Sequence, residues 1–209
     1  MITKTLKVPN DLSEITLGQY QRFNKVLSKD PDEDFLQKKT IEIFCGVELK
    51  DVEKYKYSSI VDVIKIINKM FEQKPNLTQR VNNNGIEFGF IPQLDSMTFG
   101  EFVDLDLLLS DFDTMDEAMA VLYRKIEHKH KDNYTLVEYN SEKITDMKWL
   151  PLDIVFGALF FLQSLEKELQ NHTLSYLETH MKTIPQEQRR ALMKPLAGGQ
   201  VFTPSHKVG

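Results

Sequence analysis

Cysteine is nearly absent from this chain of 209 residues, because Cys45 is its only one. A single thiol cannot close a disulfide within the chain, which favours a reducing compartment. Cys45 lies on the apolar side of a predicted helix, so we interpret it as a small buried hydrophobic residue rather than a nucleophile. Long hydrophobic runs are also missing, since the longest covers residues 154–162 and a membrane-spanning helix needs about 20. The first residues contain no apolar segment typical of a secretory signal, so we expect a soluble intracellular protein without a membrane span.

Acidic residues outnumber basic ones, and positive charge is missing from one long stretch. The formal net charge is −5, which argues against a specific nucleic-acid partner because such binders usually carry a basic excess. Residues 81–123 contain no Lys, Arg or His, although nine of them are acidic. This stretch predicts either a solvated acidic surface or a docking surface for a basic partner. The docking candidates within it are Asp104, Asp106, Asp111, Asp113 and Asp116.

A metal site does not account for these carboxylates. An EF-hand loop that began at Asp111 would need glycine at its sixth position and a bidentate glutamate at its twelfth. Those positions hold Asp116 and Leu122. His128 and His130 flank a lysine at what reads as the end of a helix, a pattern that does not indicate a zinc site. We therefore expect no catalytic residues, no metal or other cofactor, and no enzyme.

A repeated segment is the strongest structural signal in the chain. Residues 12–20 return 82 positions later as residues 94–102, and each copy combines a threonine with Gln or Glu three positions on. That pairing is a capping box, which starts a helix by satisfying two free backbone N–H groups. The capping boxes are Thr16 with Gln19 and Thr98 with Glu101, and the flanking pairs Ile15–Tyr20 and Met97–Phe102 fit hydrophobic staples.

Hydrophobic periodicity predicts an α+β fold, in which a predominantly helical bundle carries a small antiparallel sheet. The sheet is built around the Asn83–Gly85 turn, since Asn-Gly supplies the positive φ values of a tight hairpin. The predicted helices are 16–28, 33–45, 58–72 with a serine cap, 99–109, 114–126 with Thr114 as cap, 152–169, 173–181 and 186–193. The predicted strands are 5–8, 78–81, 86–91 and 134–139. We expect one domain over residues 1–195, in which the repeat gives two related halves, 1–75 and 76–165, that share the helix 152–169.

The C-terminal residues 196–209 show no periodicity and read as an extended tail. Residues 182–209 contain five Lys or Arg and one Glu, so this end is basic on an otherwise acidic chain. The pattern is typical of a segment that reaches a neighbouring subunit, or of a disordered end in a monomer. The docking candidates here are Arg189, Arg190, Lys194, Val201 and Phe202.

Four segments carry a family resemblance. They are residues 12–20, 89–106 (GFIPQLDSMTFGEFVDLD), 117–124 (EAMAVLYR) and 147–161 (MKWLPLDIVFGALFF). Together they span most of residues 6–165 and resemble a family of small tailed-bacteriophage proteins, found in crAss-like gut phages and related marine phages. The family usually has proline after the Ala-Val-Leu-Tyr-Arg string, where this chain has Lys125. The resemblance implies a virion or virion-assembly protein, made in the host cytoplasm, and carries no catalytic motif.

Three functions are compatible with these observations. The first is a non-enzymatic structural or packaged (cargo) protein of a tailed-phage virion, which contacts other phage structural proteins in a homo- or hetero-oligomeric assembly. The second is a tail or capsid assembly chaperone that is absent from the mature particle, since such chaperones are often small, acidic and helical. The third is a small enzyme with an unrecognised site. We favour the first, with contacts made by the acidic stretch and the basic C-terminal end.

Overall fold

A computed structural model of the chain describes residues 6–131 and 133–180. Those residues form seven α-helices and a four-stranded antiparallel sheet, so the predicted α+β class is confirmed. The helices are α1 (Leu17–Leu27), α2 (Glu33–Cys45), α3 (Leu49–Val52), α4 (Tyr57–Phe71), α5 (Phe99–Leu108), α6 (Met115–Leu122) and α7 (Leu152–His180). The strands are β1 (Arg80–Asn83), β2 (Ile86–Phe90), β3 (Tyr123–His130) and β4 (Asn133–Leu136), and they are paired in that order.

The chain divides into two units, Met1–Phe161 and Leu162–Gly209. The first unit holds the sheet, α1 to α6 and the beginning of α7. In the second unit, α7 continues without a break to His180, so no separate helix begins at residue 173 as predicted. The predicted helix 186–193, the domain boundary at 195 and the tail 196–209 lie outside the described residues. No helix in the described part of the chain is long and apolar enough to cross a membrane.

Both predicted capping boxes are present. Thr16 Oγ1 accepts a hydrogen bond from Gln19 N at 3.2 Å, and Gln19 Oε1 accepts one from Thr16 N at 2.9 Å. At the second copy, Thr98 Oγ1 accepts from Glu101 N at 3.2 Å and Glu101 Oε2 accepts from Thr98 N at 2.6 Å. A short 3₁₀ turn precedes each helix, at Leu12–Glu14 and at Leu94–Ser96. The repeat therefore builds the same local structure twice.

The two copies differ in their surroundings. In the first, Leu12, Ile15 and Leu17 are completely buried. The backbone beside them pairs with the start of α7, because Leu17 N donates to Leu150 O at 2.8 Å and Leu152 N donates to Ile15 O at 2.8 Å. In the second copy, the residue that corresponds to Leu17 is Phe99, which is 83% exposed. One copy is thus part of the core and the other lies at the surface.

Aromatic side chains from four elements join the first copy to the rest of the core. The Tyr20 ring of α1 lies 5.5 Å from Phe71 of α4, 5.0 Å from Phe112 and 5.6 Å from Phe156 of α7, between ring centroids. Phe44 of α2 contacts Phe71 in turn at 5.6 Å. Because these rings come from both predicted halves, 1–75 and 76–165, the halves share one core and do not form separate units.

The predicted hairpin connects β1 and β2. Asn84 and Gly85 have φ of 51° and 84°, the left-handed conformations that the Asn-Gly pair was expected to adopt. The strands pair in register Asn83 with Ile86, and β1 begins two residues later than predicted. On the other edge of β2, Phe90 pairs with Tyr123 and Phe88 with Lys125 of β3. The hairpin is therefore half of a larger sheet.

Strand β3 is the main error of the sequence analysis. The predicted helix 114–126 ends at Leu122, and the chain enters β3 at the next residue. The reason is partly non-local, because residues 123–125 of β3 pair with β2, which lies before α5 in the sequence, while residues 126–130 pair with β4. Thr114 does not cap α6 as predicted, since its hydroxyl donates to Leu108 O at 2.8 Å and Asp111 O at 2.9 Å.

Three smaller predictions are also corrected. The described part of the N-terminal segment, from residue 6 to residue 10, forms no strand. Helix α4 begins at Tyr57 after Lys56 and has no side-chain cap, whereas a serine cap was expected. The predicted strand 134–139 is shorter and becomes β4. By contrast, α2 has the predicted bounds and ends at Gly46 in the left-handed conformation.

Candidate interaction surface

Helix α5 is held to the molecule by its inner side. Glu101 and Leu105 are buried there, four residues apart and therefore on one face. Glu101 Oε1 forms an ion pair of 2.7 Å with Arg124 Nη1, which fixes α5 to the central strand β3. Burial alone would raise the pKa of Glu101, but the hydrogen bonds from Thr98 and the nearby Arg124 charge outweigh it and lower that pKa. The ion pair between Glu101 and Arg124 thus anchors the inner side of α5 to the sheet.

A second polar contact fixes the edge of α5. Tyr139 donates its hydroxyl to Asp104 Oδ2 at 2.9 Å. Desolvation and this hydrogen bond to a carboxylate raise the pKa of Tyr139 to about 12. Tyr139 therefore remains protonated and keeps donating at any physiological pH. Asp104, one of the predicted docking residues, is occupied by a contact within the chain.

The outer side of α5 is apolar and exposed. Phe99 is 83% exposed, Phe102 59%, Val103 44% and Leu107 71%. Their successive spacings of three, one and four residues place them on one side of a helix. We call these four side chains the α5 apolar face. A surface helix normally turns such residues inward, whereas α5 is apolar on both sides and buries only one of them. Exposed apolar patches of this kind typically mark interaction sites.

Negative charge accompanies the α5 apolar face. Asp106 is exposed and follows Phe102 by four residues and Val103 by three, so it lies on the same side of α5. Because residues 81–123 contain no basic residue, the chain supplies no cation from its own flanking segments to this side. The face therefore combines apolar contact area with a carboxylate.

The remaining predicted acidic residues have structural roles beyond α5. Asp111 Oδ1 accepts from Asp113 N at 2.9 Å and caps a short 3₁₀ turn, while Asp113 Oδ2 lies 3.6 Å from Lys25 Nζ. Asp111 and Asp113 are exposed. Asp116 is only 6% exposed. It therefore does not belong to an exposed acidic surface, contrary to the sequence analysis.

Asp116 is part of an internal polar cluster. Gln21 Nε2 donates to Asp116 Oδ1 at 2.7 Å, and Lys148 Nζ lies 2.9 Å from Asp116 Oδ2. Desolvation would raise the pKa of Asp116, but these partners outweigh it and lower that pKa. The cluster ties α1 to α6 and to the segment that precedes α7, so Asp116 acts in packing.

A shallow depression of about 430 Å³ lies beside α1. Its lining includes three cations, Arg22, Lys25 and Lys148. Lys25 and Lys148 already face carboxylates of the chain, Asp113 at 3.6 Å and Asp116 at 2.9 Å. Two of the three charges are thus compensated internally, which makes the depression a weak candidate for an anionic ligand.

Chemistry-bearing side chains are dispersed in the described residues. No group of three His, Cys, Asp or Glu there could hold a metal ion. Cys45 is buried as predicted, and desolvation raises the pKa of its thiol to about 11, which keeps it protonated and unreactive. His128 and His130 are exposed on strand β3, not at a helix end as predicted.

The basic docking candidates Arg189, Arg190, Lys194, Val201 and Phe202 lie outside the described residues. No protein-family model, no curated protein and no solved structure matches this chain.

Helix α5 was predicted, but its exposed apolar face was not. Phe102 was expected to form a staple with Met97, and Phe99, Val103 and Leu107 were given no role. The available signal was that apolar residues in 99–109 point in all directions around the helix, more than one buried side needs.

Proposed function

We propose that this protein is a non-enzymatic structural or packaged (cargo) component of a tailed-phage virion, which binds other virion proteins through the α5 apolar face. The observation that carries the proposal is the exposure of Phe99, Phe102, Val103 and Leu107 on one side of a helix whose other side is firmly anchored. The resemblance of residues 12–20, 89–106, 117–124 and 147–161 to tailed-phage proteins supports the phage context.

The anchoring of α5 favours docking over an enzymatic role for this surface. A protein interface gains most of its affinity from a few large side chains packed near its centre. The α5 apolar face contains three side chains of that size, Phe99, Phe102 and Leu107. The helix that presents them is held in place by contacts of Glu101 and Asp104. A preformed surface of this type binds without a large ordering cost. The protein would thus be a fixed part of an assembly made in the host cytoplasm.

The proposal is tested with purified particles of the phage that encodes this chain. We expect quantitative mass spectrometry to find the protein at a fixed ratio to the portal protein. The variant Phe99→Ser/Leu107→Ser, supplied in place of the natural chain, should be incorporated at least about tenfold less, because loss of two central side chains typically costs more than 1 kcal/mol each. Both residues are largely exposed, so the fold should tolerate the change.

The matched control is Tyr57→Ser/Ile66→Ser. Tyr57 is 70% exposed and Ile66 45%, and both belong to α4 instead of α5. This control should be incorporated like the natural chain. A protein that is abundant in infected cells and missing from particles would contradict the proposal and support the assembly-chaperone alternative. Equal incorporation of both double variants would contradict the role of the α5 apolar face.

A further inference from the structure

The chemistry of the α5 apolar face restricts what can cover it. A binding partner must contact this face with apolar side chains, because the face consists of Phe99, Phe102, Val103 and Leu107. Asp106 lies on the same side, and the flanking chain from 81 to 123 offers no cation. An occupant that buries Asp106 without a positive charge would leave a desolvated carboxylate unpaired, which is costly. The occupant should therefore be apolar and basic together.

A second copy of the same face does not meet this requirement. If two α5 helices packed against each other through this face, the interface would contain Asp106 of each copy. Like charges brought together across an interface disfavour the pairing. A symmetric α5–α5 dimer is thus the weaker solution.

The C-terminal end of the chain has the required composition. Between residues 182 and 209 there are five basic residues and one acidic residue. The basic residues Arg189, Arg190 and Lys194 alternate along the chain with large apolar ones, which are Leu192, Met193, Leu196, Val201 and Phe202. We propose that residues 189–202 of one copy bind the α5 apolar face of a second copy. This inference rests on the proposed function, because both require that face to be a protein-docking surface.

The proposed contact has a definite symmetry. Each copy donates one C-terminal segment and accepts one, so the two sides of the interface are different surfaces. Such heterologous contacts propagate from copy to copy and form a ring where the rotation closes, or an open chain where it does not. The smallest such ring is a dimer in which two copies exchange their C-terminal segments reciprocally.

Sedimentation of the full-length chain tests the contact in solution. We expect self-association that rises with concentration and that weakens at least about tenfold in Phe99→Ser/Leu107→Ser, but not in the control Tyr57→Ser/Ile66→Ser. Arg189→Glu/Arg190→Glu/Lys194→Glu should weaken it similarly, and adding Asp106→Lys to that triple variant should recover at least about threefold. A chain that is monomeric at every concentration, or self-association unaffected by the α5 variant, would overturn the inference.

Cross-linking between copies identifies the occupant. Equal amounts of ¹⁴N- and ¹⁵N-labelled full-length chain are mixed and treated with a carbodiimide, which joins carboxylates to lysine amines in direct contact. We expect linked peptides of mixed isotope that connect Asp106 with Lys194. Peptides of single isotope only, or none that include Asp106, would overturn the inference. If the α5 variant is lost from particles but the natural chain is monomeric, only this inference is overturned. If mixed-isotope cross-links form but the protein is missing from particles, only the proposed function is overturned.

Discussion

The hydroxyl of Thr98 is one of the few polar atoms that determine where α5 begins. It accepts the backbone N–H of Glu101 at 3.2 Å. Replacing such an N-cap by alanine leaves that N–H without its partner and typically costs about 1 kcal/mol. We expect Thr98→Ala to lower the free energy of unfolding by about that amount, measured by urea denaturation, and Thr98→Ser to be nearly neutral. A Thr98→Ala variant as stable as the natural chain would mean that the box contributes nothing.

Glu101 joins this cap to strand β3 through its ion pair with Arg124. Because Glu101 acts there as a carboxylate, its contribution to the stability of the fold depends on pH. Its partners keep its pKa below the unfolded value of about 4.3, so its stabilising effect is complete above that value and is lost as pH falls through the folded pKa. Glu101→Gln should therefore destabilise the protein at pH 7, by about 1–3 kcal/mol. The difference from the natural chain should shrink at pH 3. Urea denaturation at both pH values measures it, and a difference independent of pH would contradict the assignment.

A double-mutant cycle with Arg124→Met isolates the ion pair from the cap. Glu101 and Arg124 lie 2.7 Å apart, so their substitutions should not be additive. If the two effects simply add at pH 7, the pair does not carry the pH dependence.

Among the elements, α5 and α7 each contain a glycine, and the space around the two glycines differs. A Cβ at Gly157 of α7 would lie 2.4 Å from Asn76 O and 2.9 Å from Asn76 C, which are backbone atoms. A Cβ at Gly100 of α5 would meet nothing within 4 Å. Gly157→Ala should cost about 1–3 kcal/mol through overpacking, whereas Gly100→Ala should stabilise the helix by about 0.5–1 kcal/mol.

Thermal or urea unfolding of the two alanine variants measures this contrast. Because both substitutions add the same methyl group to a helix, each serves as the control for the other. Equal effects of the two changes would show that the close approach of residue 76 to α7 does not exist in solution.

The elements also show what local sequence can predict. Helix α2 has a capping aspartate before it and Gly46 after it, and the Asn84–Gly85 turn has its own positive φ values, so neighbouring residues determine both. Strand β3 is different, because its charged residues suit a helix and only pairing with β2 and β4 makes them a strand. The largest misprediction, β3, depends on pairing with β2, which lies before α5 and α6 in the sequence.

At the scale of the whole molecule, the aromatic cluster around Tyr20 makes the first unit cooperative. Tyr20 contacts Phe71, Phe112 and Phe156, which come from three different parts of the chain. Tyr20→Ala should therefore destabilise the first unit by about 3–5 kcal/mol and reduce hydrogen-exchange protection in β2 as strongly as in α1. Loss of protection confined to residues 1–75 would show that the predicted halves unfold independently.

The sequence could not predict which side chains of the candidate surface are exposed to solvent. Phe99 and Leu17 occupy corresponding positions in the repeat, yet one is 83% exposed and the other fully buried. Asp106 and Asp116 are both acidic residues of the same stretch, but only Asp116 is enclosed by Gln21 and Lys148. Such differences depend on which elements pack together. The capping motifs and the charge pattern do not determine that packing.

The attachment of α5 to β3 has a mechanical consequence. Glu101 forms an ion pair with Arg124, the second residue of a strand that follows α6 without a loop. The first three residues of this strand pair with β2, and the following ones pair with β4. Because this ion pair joins α5 directly to β3, a force applied to Phe99 or Leu107 would reach the sheet through it. If a partner binds the α5 apolar face as proposed, the ion pair would carry part of the force between the two proteins into the sheet.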